Sequence, residues 1–191
     1  MSFKVKVLMV SVSLSASVAS ANHCDPKNWQ TLLDRQLSTE NRYNQYTKEF
    51  NQALSSYESQ TLLSKHFTET QIIELWSKYE DRFNVQLNSH MNTAYRISEV
   101  LLKRAYVVST ELEDAQSLIR SWQSMTKHCE LSTLPSQSES ASLHVKGSQS
   151  LAKDINTLSE KFRKLSVRYR NEATMIDSAR HENGPIQEIF N

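Results

Sequence analysis

The chain has 191 residues with 22 basic and 21 acidic side chains, two glycines, three prolines and two cysteines. Near-neutral charge gives the molecule as a whole no strong field toward nucleic acid or anionic lipid. So little glycine and proline, with no alternating β-branched runs, argues for helices throughout and against a glycine-rich phosphate loop.

Residues 1–21, MSFKVKVLMVSVSLSASVASA, carry Lys4 and Lys6, an apolar run too short to span a bilayer, and the small-x-small sequence Ala19-Ser20-Ala21. This is the form of a signal peptide cleaved after Ala21, so the reading is an exported protein. Asn22 and His23 separate Ala21 from Cys24, whereas a lipoprotein signal places a small residue directly before the modified cysteine. No lipid is expected on Cys24, and no stable membrane insertion after cleavage. Residues 22–191 are read as a single α-helical domain.

Asp25-Pro26 reads as an N-cap followed by proline at the first helical position. From there Trp29, Leu32, Leu33, Leu37, Tyr43, Tyr46, Phe50, Leu54 and Tyr57 recur mostly at steps of three and four, which predicts a long helix over 26–64. Thr68 and Gln71 have capping-box spacing, and Ile72, Trp76, Tyr79, Phe83, Leu87 and Met91 continue one face. That helix is expected to reach Tyr106, with a break near Asn92. A second capping box, Thr110 and Glu113, predicts a new start, followed by the face Leu112, Ala115, Ile119, Trp122, Met125 and Cys129. The acids Glu111, Glu113 and Asp114 then form the first turn of that helix, where its dipole favours them. Residues 68–129 are read as middle helices, and 92–135 as an appendage that meets a partner.

The serine-rich stretch 130–142, with Pro135, reads as a linker. Beyond it Leu151, Ile155, Leu158, Phe162, Leu165, Tyr169, Ala173 and Ile176 form a heptad-like seam, which predicts a long helix over 142–183, stopped at Gly184-Pro185 before a tail at 184–191. This seam is expected to bury against the Trp29–Tyr57 face. The fold class is therefore all-α: an elongated bundle with a long N-terminal helix, a middle helical part and a long C-terminal helix.

Two cysteines in an exported chain most simply pair, and Cys24 precedes the first helix while Cys129 lies on a core-facing stripe. Both follow a histidine, so a Cys2His2 metal site is the alternative, without the spacing that holds several ligands on one turn. The six histidines form no H-E-x-x-H, and no G-x-S-x-G occurs. The expectation is a non-catalytic protein with no cofactor, no metal and no nucleic-acid partner.

Two stretches resemble known families. FTETQ, Phe67–Gln71, resembles the L-T-x-x-Q element of the small periplasmic stress chaperones of the Spy and CpxP type, which implies a helical cradle for unfolded clients. SQSESASLHVKGSQSLAKDINTL, residues 136–158, resembles the approach to the last long helix of TrbJ-type conjugative transfer proteins, relatives of the minor pilins of type IV secretion systems. Gly147, Gln149, Leu151 and Ala152 fall on that family's Q-A-G-N-Q-L-L-A-like run, with Ser148 and Ser150 in place of its asparagine and first leucine. This resemblance implies an exported assembly component with pilus or secretion-system partners, located in the periplasm or at the cell surface or pilus of a Gram-negative bacterium. It also implies that Gly147 lets backbones approach closely.

Overall fold

Four α-helices pack together in a computed structural model that describes residues 24–78 and 82–182, with no strand among them. They are α1 (Pro26–Ser59), α2 (Glu69–Lys78), α3 (Arg82–Leu131) and α4 (Pro135–Glu182), with a short 3-10 turn at Leu63–Lys65 between the first two. The all-α class read from the sequence is observed. The signal segment 1–21 and the tail 184–191 lie outside the described residues, as do Tyr79 and the stop at Gly184-Pro185.

α3 and α4 run antiparallel and form the longest contact of the molecule. Their 50 and 48 residues correspond to rods of about 75 and 72 Å at a rise of about 1.5 Å per residue. Every member of the seam from Leu151 to Ile176 is buried, and α3 answers it with Leu87, Met91, Ala94, Leu101, Ala105, Val108 and Ala115. Small side chains bring the two backbones together. The buried Ser159 hydroxyl donates to the Ala105 carbonyl at 2.9 Å, and that of Ser166 to the Ser98 carbonyl at 2.8 Å. Ser98 and Ser166 also join through their hydroxyls at 3.1 Å. Each serine thus satisfies itself across the interface, so its burial is not penalised.

α1 lies parallel to α4, with Phe50 edge-on to Phe162 at 5.1 Å and Tyr57 edge-on to Tyr169 at 5.3 Å. Only Thr39 and Phe50 of its 34 residues are buried. The principal partner of the seam is therefore α3 rather than the α1 face expected from the sequence. α3 runs antiparallel along the whole seam, whereas α1 meets α4 from one side, through residues such as Phe50 and Tyr57. Past the end of α1, α2 covers the hairpin with Ile72 and Trp76.

Several boundaries differ from those expected. α1 ends at Ser59 rather than Ser64. α3 continues through both Asn92 and Thr110, so there is no break or new start there, and residues 92–131 belong to the body of the bundle rather than to an appendage. The Thr110 hydroxyl donates backward to the Val107 carbonyl at 2.7 Å, as a threonine inside a helix does, instead of capping a start. The expected linker 130–142 contracts to a tight turn at 132–134. There the Leu134 amide donates to the Cys129 carbonyl and the Thr133 amide to that of Glu130, with Thr133 at φ 57°. This paired return closes α3, and Thr133 occupies the left-handed seat where glycine is commonest. Pro135 then opens α4 at the position where a missing amide hydrogen costs nothing.

Candidate functional site

The start of α1, the end of α3 and the start of α4 meet at one end of the bundle. Asp25 caps α1 by accepting from the Lys27 amide at 3.1 Å, and Pro26 follows it. Cys24 and Cys129 form a disulfide with sulfurs 2.07 Å apart and Cα atoms 5.5 Å apart. The Cys2His2 alternative is thereby excluded, since both thiols are consumed. Beside the bridge Trp29 stands edge-on to Trp122 at 5.1 Å, and His144 stacks on Trp122 at 4.3 Å. Leu32, Leu33, Leu118, Met125, Ala141 and Val145 complete this second core. The stripe read from the sequence is largely observed, except that Leu118 is buried where Ile119 was expected and Ile119 is half-buried.

Between α1 and α3 runs a line of polar contacts that the sequence did not suggest. Arg42 donates from Nε to Glu111 at 2.8 Å and from its terminal nitrogen to Asp114 at 2.7 Å. The Tyr46 hydroxyl donates to the other Glu111 oxygen at 3.2 Å. Burial first, and then the neighbouring Glu111 carboxylate, push the Tyr46 pKa above its ordinary value. Arg104 reaches back from α3 to Glu49 at 3.0 Å. Glu111 and Asp114 are thus mid-helix acids that hold α1, not acids of a first turn.

Toward the other end lies the one fully buried carboxylate of the described residues, Glu172 on α4. It accepts from the Leu63 amide at 2.6 Å, the Ser64 amide at 3.0 Å and His90 Nε2 at 2.8 Å. Burial alone would raise its pKa. The hydrogen bonds from Ser64 (hydroxyl and amide), His90 and the Leu63 amide outweigh that and hold the carboxyl below its ordinary value. One side chain therefore ties the α1–α2 connection to both long helices. Nearby, the Tyr169 hydroxyl donates to Gln60 at 2.9 Å, and burial raises its pKa.

The Thr68–Gln71 pair forms the reciprocal cap read from the sequence: the Thr68 amide donates to Gln71 Oε1 at 2.9 Å, and the Gln71 amide to the Thr68 hydroxyl at 3.3 Å. Local capping accounts for both residues without a client surface. Of the family-motif positions, Leu151 is buried and Ala152 half-buried, while Gly147 and Gln149 are exposed. The close approach expected at Gly147 is not observed. A methyl group added there would meet only the Gln36 side chain, at 3.7 Å, which is ordinary contact. Gly147→Ala is accordingly expected to stabilise α4 by about 0.5–1 kcal/mol, the helix-interior difference between the two residues. A thermal melt checks this, and a lower midpoint in the variant would contradict it.

Among the described residues no group of three or more His, Cys, Asp or Glu is placed to hold a metal ion, and no helix is long and apolar enough to cross a membrane. An open groove of about 780 Å³ lies beside the α3–α4 turn, lined in part by Thr126, Glu130, Ser138, Leu143 and Lys146. Comparison with known protein families, with curated proteins and with solved structures finds no match to this chain.

Proposed function

We propose that this chain is a non-catalytic, exported component of a conjugative type IV secretion system, minor pilin-like, which acts in pilus assembly or recipient-cell contact by surface recognition. The observation that carries this reading is the fate of the α4 seam. From Leu151 to Ile176 it is spent inside the chain against α3, so the seam itself offers no open apolar face and recognition falls to the outer surface. A chaperone cradle needs the opposite, a concave apolar face open to clients. The disulfide suits an oxidising compartment outside the cytoplasm, in keeping with the export signal read at residues 1–21. The resemblance over 136–158 supplies the conjugative assignment.

A mating assay tests it. Deleting the gene in a conjugative donor strain of the native host is expected to abolish DNA transfer, and a copy in trans to restore it. A copy carrying Glu111→Gln and Asp114→Asn is expected to restore transfer within a few-fold, because partly exposed ion pairs contribute only about 0–1 kcal/mol each. A copy carrying Leu158→Asp is expected to fail, since an unpaired charge in the core costs several kcal/mol. Normal transfer from the deletion strain would overturn the proposal. Purified protein that keeps unfolded clients in solution would favour the chaperone instead.

A further inference from the structure

Residues 161–171 of α4, KFRKLSVRYRN, hold five of the chain's 22 basic residues and none of its 21 acidic ones. Phe162, Leu165, Ser166 and Tyr169 face the core, so Lys161, Arg163, Lys164, Arg168 and Arg170 all project from the outward half of the helix. Of these only Arg163 has a carboxylate partner, Glu160 at 3.7 Å. Arg168 lies over the Tyr57 ring at 5.5 Å, and Lys65, from the turn after α1, lies over the same ring at 4.5 Å. The adjacent Glu172 is buried and fully used by the Leu63 and Ser64 amides and His90, and Glu58, the sequence neighbour of Tyr57, forms no ion pair with either cation.

At the centre of this group stands Val167, 54% exposed. On α3, Leu102 and Tyr106 are also exposed, level with residues 162 and 158 in the register set by the Ser98–Ser166 and Ala105–Ser159 contacts, five and nine residues along α4 from Val167. A purely solvated face has no reason to gather five cations with a single carboxylate partner around an exposed valine.

We propose that the outward face of α4 over residues 161–170 docks on the headgroups of an anionic phospholipid bilayer, with Arg and Lys on the phosphates and Val167 at the boundary with the hydrocarbon. Clustered cations supply attraction to an anionic leaflet, and an apolar side chain among them suits the headgroup zone. A nucleic-acid duplex would use the same cations but gain nothing from Val167. The surface is peripheral, requires no insertion, and places a rod-shaped protein lengthwise on a membrane. This inference does not depend on the conjugative reading.

Vesicle flotation with the mature protein decides it. Binding is expected to vesicles of phosphatidylcholine mixed with phosphatidylglycerol, and not to phosphatidylcholine alone, and high salt is expected to release it. Each cation near an anionic leaflet raises partitioning about fivefold, so the combined Lys161→Gln, Lys164→Gln, Arg168→Gln, Arg170→Gln variant is expected to bind roughly a hundredfold or more weakly. Val167→Asp, a single change at an exposed position, is expected to weaken binding as well. Neutralising Lys27, Lys127 and Lys146, which lie toward the disulfide end of the bundle, is expected to leave most of it. Unchanged binding by the first variant or by Val167→Asp, equal binding to neutral vesicles, or displacement by a DNA duplex that binds more tightly than the vesicles would each overturn the proposal.

Discussion

Replacing Cys24 and Cys129 together by serine is expected to lower stability by about 4–5 kcal/mol and the melting midpoint by about 10–15 °C. The bridge closes a loop of 105 residues, and in the chain-entropy treatment the stabilisation grows with the logarithm of that length. The location increases what the bridge does. α1 buries only Thr39 and Phe50 completely, and its polar holds on α3 are partly exposed: the ion pairs of Arg42 and Arg104, the Tyr46 hydroxyl on Glu111 and Arg35 on Ser117. Without the bridge the first turns of α1 keep Trp29, Leu32 and Leu33 packed in the Trp122 cluster and the polar contacts of Arg35 with Ser117 and Gln36 with His144. Two of the chain's three tryptophans sit in this cluster, so its fluorescence is expected to change on reduction before the rest of the bundle melts. Melting of the reduced protein at the temperature of the oxidised one would contradict this account.

Glu172→Gln is expected to cost about 3 kcal/mol or more, the scale at which removing one member of a buried charged network leaves its partners unsatisfied. The carboxylate accepts on both oxygens from Leu63, Ser64 and His90, whereas an amide must turn a donor toward one of these donors. The sign of the pH dependence follows from the direction of the shift. With a folded pKa below the ordinary value of 4.5, the ionised group contributes stability that is fully present above about pH 4.5 and is lost as pH falls through the folded pKa. The stability gap between parent and variant is therefore expected to hold at neutral pH and to narrow below pH 4.5. Chemical denaturation at a series of pH values checks both the size and the slope. Hydrogen exchange at the Leu63 and Ser64 amides is expected to accelerate in the variant at neutral pH.

What could be read from the sequence was what repeats locally. The steps of four and three along Leu151–Ile176 determine which side of α4 is buried, and all eight positions are. Asp25-Pro26 and Thr68-x-x-Gln71 are caps whose donors and acceptors lie within three residues, so their chemistry is visible without a fold. Thr110-x-x-Glu113 has the same spacing and is not a cap. The apolar pattern continues through it from Leu101, Ala105 and Val108 to Ala115 and Leu118, and packing against α4 decides against a local signal of about 1 kcal/mol. The serines of 130–142 read as a linker for a similar reason. Their weak helix preference is overridden once Pro135 starts the helix, Ala141 is buried, and the Ser138 hydroxyl donates to the Thr126 carbonyl across the hairpin. Glu172 was out of reach because its partners lie 82 to 109 residues away, and nothing in NEAT distinguishes it from a surface acid.

The most direct test of the central claim, an exported helical hairpin whose first helix is clasped by a disulfide, is a non-reducing peptide map with intact mass on protein recovered from the envelope of its native host. The account predicts a chain that begins at Asn22, carries no lipid, and yields one cross-linked peptide pair joining Cys24 to Cys129, separated only by reduction. A chain beginning at Met1, an acyl mass on Cys24, or two thiols free to alkylation without reduction would contradict it.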